Sequence, residues 1–283
     1  MSVRPETVAP GLQVFPARTP TLPPATHTNS YALGGQQVLL VEPATPFDDE
    51  RRAWLEWARG LRAAGRDLVA IFVTHHHIDH VGGADFLARE LGLPLWAHQA
   101  TAERLAGAVE ITRRLEEGET IRLDGPTPQA WQVLHTPGHA PGHLCLHEAE
   151  MGAVVVGDMV ASVGTILIEP VDGDMQVYLE QLRRLEALAA RVALPAHGTP
   201  IEGPSALFAF YVKHRLAREA KVIDALGRAG SGGGSLGSLV RDAYADTPEA
   251  LWPLAQMSLE AHLIKLECDG RARRGGEGWL AAA

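Results

Sequence analysis

The chain has 283 residues, 46% of them hydrophobic and 21% charged, with a formal net charge of −9. That length allows one sizeable core and a small second domain, and no stretch approaches the roughly 18 uncharged apolar residues of a membrane span. Charge is uneven: residues 1–205 carry 15 basic against 25 acidic side chains and residues 206–283 carry 10 against 9, so the larger part repels polyanions at long range.

Only Cys145 and Cys268 occur, which excludes a disulfide framework. The first 35 residues are Pro- and Thr-rich without an apolar signal core, so a cytoplasmic location and no membrane partner are expected. After this opening, Thr28 to Leu33 and Gln37 to Glu42 read as strands joined at Gly34-Gly35. Asp48 to Ala64 reads as a helix ended by Gly65, and the apolar run Leu68 to Val73 as a buried strand.

At the end of that strand stand His75, His76, His77, Asp79 and His80. A core cannot cover that many polar rings without a cost of several kcal/mol. A purification tag is terminal and lacks the interposed Asp, so a divalent metal is the natural partner. Period two puts His75 and His77 on one side with His76 opposite, while the turn at Asp79-His80 aims two donors from another direction. One segment thus can feed two adjacent metals.

A helix over Val81 to Leu91 is predicted next, with its N-terminal dipole at the cluster. A short strand then ends at His98, read as structural, followed by helical turns from Thr101 that continue through Glu117. Four short strands follow, over Thr120–Leu123, Trp131–Leu134, His143–His147 and Ala153–Val156. Pro137 and Gly138 fix a tight loop that can hold His139 toward an ion. His135 and His143 are read as supporting this loop. Asp158, at a strand end, is on its own an ordinary cap or turn residue. Asp172 to Ala189 is an amphipathic helix, and His197 follows the apolar Val192-Ala193-Leu194. Pro204 to Ala229 forms a long helix, the Gly/Ser run 230–235 a connection, and short helices over 236–244, 248–256 and 258–269 precede a final strand or arm over 271–279. His214 and His262 are read as packing or surface residues.

His-x-His-x-Asp-His over 75–80, Thr-Pro-Gly-His over 136–139, Gly-Asp at 157–158 and Pro-x-His-Gly-x-Pro over 195–200 occur in the order in which they resemble the metallo-beta-lactamase superfamily. The C-terminal strings His214-Arg-x-x-Arg-Glu, Ala243-Tyr-x-x-Thr-Pro-Glu-x-Leu and His262-Leu-x-Lys-Leu-Glu-x-x-Gly are similar to the beta-lactamase-like protein 2 subfamily. The resemblance implies an α/β fold: a four-layer αββα sandwich over residues 1–205, and a small helical, winged-helix-like domain over 206–283. It also implies two zinc ions, with manganese or iron as substitutes. His75, His77 and His139 would hold the first, Asp79, His80 and His197 the second, and Asp158 would bridge them.

The function so implied is that of a metal-dependent hydrolase whose metal-bound hydroxide attacks an ester, thioester or phosphodiester, with Asp79 orienting the nucleophile. Two substrates compete: single-stranded RNA, which the subfamily includes, and a small acyl or thioester molecule, which suits the acidic charge. Cations available to RNA are Lys213, Arg215, Arg218 and Lys221 on one helix and Arg271, Arg273 and Arg274 near the end. An iron-dependent, persulfide dioxygenase-like oxidoreductase is the alternative; diiron electron-transfer relatives have Glu where His77 stands. Beta-lactam hydrolysis is not implied, because fold does not fix substrate.

Overall fold

Seven strands form the first sheet of this computed structural model: β1 (Glu6–Ala9), β2 (Leu12–Arg18), β3 (His27–Leu33), β4 (Gln37–Val41), β5 (Asp67–Phe72), β6 (Leu95–Ala97) and β7 (Arg113–Arg114), hydrogen-bonded in chain order. Residues 4–276 and 278–282 are described. The outermost positions of the two expected domains, residues 1–3 and 283, and Glu277 in the expected terminal arm lie outside the described residues. The first four strands pair antiparallel and the rest parallel. Helices α1 (Asp48–Ala63), α2 (Ile78–Val81), α3 (Ala84–Leu91) and α4 (Gln99–Arg104) fill the connections.

A second sheet holds β8 (Thr120–Leu123), β9 (Gln129–His135), β10 (Leu144–Glu148), β11 (Ala153–Gly157), β12 (Val192–Pro195) and β13 (Ile201–Glu202). It is antiparallel except that β11 runs parallel to β12. Period two sorts the side chains between layers. In β4, Val38 and Leu40 pack with Trp54, Ala58 and Leu61 of α1, whereas Leu39 and Val41 join Trp131, Val133, Leu146 and Val155 between the two sheets.

This first compact unit takes in Met1–Thr136, Gly142–Thr165 and Ala189–Pro204; the second takes in Pro137–Pro141, Ile166–Leu188 and Ser205–Ala283. The second contains α5 (Met175–Ala187), α6 (Ser205–Ala229), α7 (Leu236–Ala243), α8 (Trp252–Cys268) and the hairpin β14 (Ala272–Gly275) with β15 (Gly278–Ala281). Its core joins Val222 and Leu226 of α6, Leu239 of α7, Leu259, Leu263 and Leu266 of α8, and Trp279. Among the described residues no helix is long and apolar enough to cross a membrane.

Four expectations change. Strands β1 and β2 lie inside the Pro-rich opening: β1 pairs with β2 only as far as Val14, so Pro16 sits where no donor is required on that side. The helix expected over 81–91 is two helices with Asp79 and His80 inside the first, broken at Gly82-Gly83. A Cβ on Gly82 would lie 2.8 Å from the Pro46 nitrogen, so the chain turns there to let the Pro43–Pro46 segment approach. The helix expected through 117 stops at Leu105, beyond which Arg113–Arg114 adds a strand. In the C-terminal region, the two helices expected over 248–269 are one, α8, after a 3-10 turn at Glu249–Leu251.

Candidate metal centre

The residues of interest leave the C-terminal ends of four strands, two in each sheet. Glu42 follows β4, Thr74 to His77 follow β5, Asp158 follows β11 and His197 follows β12. His75 Nε2 and His77 Nδ1 stand 3.0 Å apart. His75 Nδ1 is hydrogen-bonded to Thr74 Oγ1 at 2.9 Å, which turns the other nitrogen toward His77. The His76 ring stands edge-on to that of His75, 6.4 Å between centroids.

Around His80 the side chains converge again. Its Nε2 is 3.6 Å from Asp158 Oδ1 and 3.9 Å from Asp79 Oδ2, while His197 Nε2 is 3.3 Å from Asp158 Oδ1 and 3.5 Å from Asp79 Oδ2. Ligand atoms of Asp79, His80 and His197 lie within 4.8 Å of one another, and so do those of His75, His80 and Asp158. Asp158 therefore reaches both groups of imidazoles. His139 belongs to the second unit: it is buried in the loop Pro137–Pro141, and its Nδ1 donates to the Leu167 carbonyl at 2.9 Å.

Burial opposes the charge of His80, but the Glu42, Asp158 and Asp79 carboxylates outweigh it and hold the ring well above the usual imidazole range. Burial likewise opposes ionisation of Asp158, and His197 and His80 overcome it, keeping the carboxyl well below its usual range. His197 is raised against burial by Asp158. Without a cation, then, the pocket favours carboxylates facing imidazolium.

Three supporting groups were not singled out in the sequence. Glu42, 1% exposed, sets Oε2 3.3 Å from His80 Nδ1, so its carboxylate favours the tautomer with Nδ1–H and a lone pair on Nε2. The His27 carbonyl accepts from His197 Nδ1 at 3.0 Å with the same result. Thr21 Oγ1 lies 3.5 Å from His197 Nε2. A lone Glu, a backbone carbonyl or a lone Thr gives no local signal of such a role.

The remaining histidines support the frame. His143 Nε2 accepts from the Asp158 backbone N–H at 3.1 Å and its Nδ1 meets Thr136 Oγ1 at 2.8 Å. Gly157, at φ +47°, is required there: a Cβ would sit 2.5 Å from His143 Nε2. His98 caps α4 by accepting from Ala100 N–H and stacks on His135, centroids 4.1 Å apart. Cys145 is buried near Thr136 and Cys268 is exposed, with no disulfide among the described residues. Beside Gly198 opens a cleft of about 680 Å³ lined by Arg4, Arg18, Pro24, His27, Val163 and Thr199 among others.

Buried imidazoles and carboxylates, gathered where two face-packed sheets end, are positioned to bind a metal in a fold of the sandwich type. Residues 23–197 match the metallo-beta-lactamase superfamily and residues 235–279 the beta-lactamase associated winged helix domain. The chain belongs to the metallo-beta-lactamase superfamily.

A metallo-beta-lactamase family protein of Thermus thermophilus superposes with a TM-score of 0.77 at 25% identity, covering 97% of this chain and all (100%) of that one. The beta-lactamase-like protein 2 homolog of Drosophila melanogaster is 28% identical over 87% of this chain and 84% of its own length. Atrochrysone carboxyl ACP thioesterase AacuM of Aspergillus aculeatus is 31% identical over 71% of this chain, and the match spans 60% of that relative.

Proposed function

We propose that the protein is a binuclear zinc hydrolase that cleaves a small acyl ester or thioester. The residues fit the metal. His80 is fully buried and its ring nitrogens face carboxylates on both sides, Glu42 Oε2 3.3 Å from Nδ1 and Asp158 Oδ1 3.6 Å from Nε2. Buried carboxylates facing imidazoles on several sides are the surroundings of a cation. His75, His77 and His139 would hold one ion, the last by its family motif, Asp79, His80 and His197 the other, and Asp158 would lie between them. When bound, such ions supply Lewis acidity and bring the pKa of water to about 7.

The protein's own groups then have separate tasks. Glu42 and the His27 carbonyl hold the Nδ1 protons of His80 and His197, which leaves both Nε2 lone pairs turned toward Asp158. His143 fixes the backbone of Asp158. Asp79, with a side chain 15% exposed against 10% for Asp158, is the carboxylate best placed to orient the attacking water and accept its proton.

The observation that favours an acyl substrate over RNA is the state of the C-terminal cations. Arg218 and Lys221 both bind Asp246, at 2.8 and 2.7 Å, Arg215 is buried and donates to the Ile166 carbonyl, and Arg274 sits 3.5 Å from Glu267. Of the seven cations counted for RNA, Lys213, Arg271 and Arg273 remain without a carboxylate partner among the described residues. An acidic body and three dispersed charges make a poor polyanion surface. Elemental analysis of the purified protein, joined to turnover of p-nitrophenyl esters, acyl thioesters and a single-stranded RNA, tests this reading. About two zinc ions per chain and thioester or ester turnover are expected. RNA cleavage with the esters untouched overturns the substrate, and a metal-free protein overturns the site.

A further inference from the structure

We propose that Thr21 contacts the substrate in this site, donating its hydroxyl hydrogen bond to a substrate oxygen beside His197; the proposal rests on the metal reading above. Three groups approach His197 Nε2: Asp158 Oδ1 at 3.3 Å, Asp79 Oδ2 at 3.5 Å and Thr21 Oγ1 at 3.5 Å. The two carboxylates belong to the ligand set. Thr21 does not, and its hydroxyl has no other polar partner among the described residues.

A distance of 3.5 Å is at the weak limit of a hydrogen bond, so this contact leaves the hydroxyl nearly uncommitted. With Nε2 given to a cation, the ring can neither donate to Thr21 nor accept from it, while the hydroxyl still faces the same point, and the next acceptor to arrive there is an oxygen of the bound ligand.

The chain holds Thr21 in place. It lies on the connection between β2 and β3, whose ends are tied by Thr19 N–H donating to the Thr26 carbonyl at 3.3 Å and by Thr19 Oγ1 meeting Thr28 Oγ1 at 2.8 Å. Pro20, Pro23 and Pro24 limit its backbone freedom. Pro24 lines the cleft beside Gly198 and packs close to Gly164, where a Cβ would lie 3.0 Å away. A donor on a pre-ordered loop keeps more of its hydrogen-bond energy for the ligand than one that must be immobilised on binding.

The test compares full-length wild type, Thr21→Val, which keeps the shape and removes the hydroxyl, and Thr21→Ser, which keeps the hydroxyl. Three quantities are measured: zinc per chain, the Kd of acetohydroxamate for the zinc-loaded protein by calorimetry, and kcat and KM for p-nitrophenyl acetate. Thr21→Val is expected to keep its zinc, to bind acetohydroxamate about fivefold more weakly and to lose about tenfold in kcat/KM, the scale of one hydrogen bond. Thr21→Ser stays within about twofold of wild type in all three. The proposal is overturned if Thr21→Val binds acetohydroxamate as tightly as wild type, if Thr21→Ser is as weak as Thr21→Val, or if Thr21→Val loses zinc. Absence of ester turnover in the wild type defeats the hydrolase reading alone, since hydroxamate binding still decides the role of Thr21; a wild type that takes up no zinc removes both.

Discussion

Glu42 shows how much of this site depends on residues that are not ligands. It is a non-glycine residue at φ +58° and almost fully buried, its N–H donates to the Phe72 carbonyl at 2.9 Å, and its own carbonyl accepts from Ser30 Oγ. A left-handed backbone costs about 1–2 kcal/mol for such a residue, and here it aims the carboxylate at His80 Nδ1. Glu42→Gln keeps the volume but removes the charge that favours Nδ1–H. Partners of this kind are worth about 10- to 100-fold in metal affinity, so zinc binding to Glu42→Gln, measured by competition with a chelator, is expected to weaken by that range with little change in secondary structure. Of the proposed ligands, His75, His77, Asp79 and His80 stand out because four histidines and an aspartate in six positions have no ordinary use at the end of an apolar strand, whereas His139, Asp158 and His197 are assigned only through the family motifs. Glu42 and Thr21 do not stand out, because each becomes special only through a partner 38 or 176 positions away.

At the level of elements, the strands of the sandwich other than β1, β2, β7 and β13 were legible as short apolar runs, and the boundaries failed where a local pattern has two solutions. Gly82-Gly83 inside a helical pattern reads as a tolerated weakness, yet it is the point where the Pro43–Pro46 segment needs room. Buried charge in the second unit was equally invisible. Glu219 of α6 meets Lys265 of α8 at 3.1 Å and His262 at 3.7 Å, and Lys265 also binds Asp269 at 2.7 Å. Burial raises the Glu219 carboxyl, but hydrogen bonds from His262 and Lys265 outweigh it and hold it below the usual range. A carboxyl depressed in the folded state stabilises above its unfolded pKa of about 4.3 and loses that contribution as pH falls through the lower folded value. Thermal unfolding followed from pH 6 to pH 3 is expected to show a stability loss below pH of about 4 in wild type. In Glu219→Gln part of that loss is absent, and at pH 7 the variant is weaker by about 2 kcal/mol, less than for a fully orphaned buried pair because Asp269 still holds Lys265.

Across the whole molecule, charge decides between the substrates more sharply than either the fold or the proposed ligands do, since both are compatible with phosphodiester and acyl chemistry. A protein that grips single-stranded RNA through Z phosphates shows a slope of log K against log salt of about −0.7Z. Seven exposed cations would give a slope near −5. With Arg215 buried and Arg218, Lys221 and Arg274 engaged with carboxylates, the three that remain would give at most about −2, and the excess of acidic over basic side chains in residues 1–205 weakens it further. Binding of a fluorescent single-stranded RNA measured by anisotropy between 50 and 200 mM salt is therefore expected to be weak, with a slope no steeper than about −2. Replacing Asp246 by Asn releases Arg218 and Lys221 and should steepen that slope by about 1. A wild-type slope near −5 would mean that the carboxylates yield their cations to phosphate, and RNA would then be the better substrate assignment.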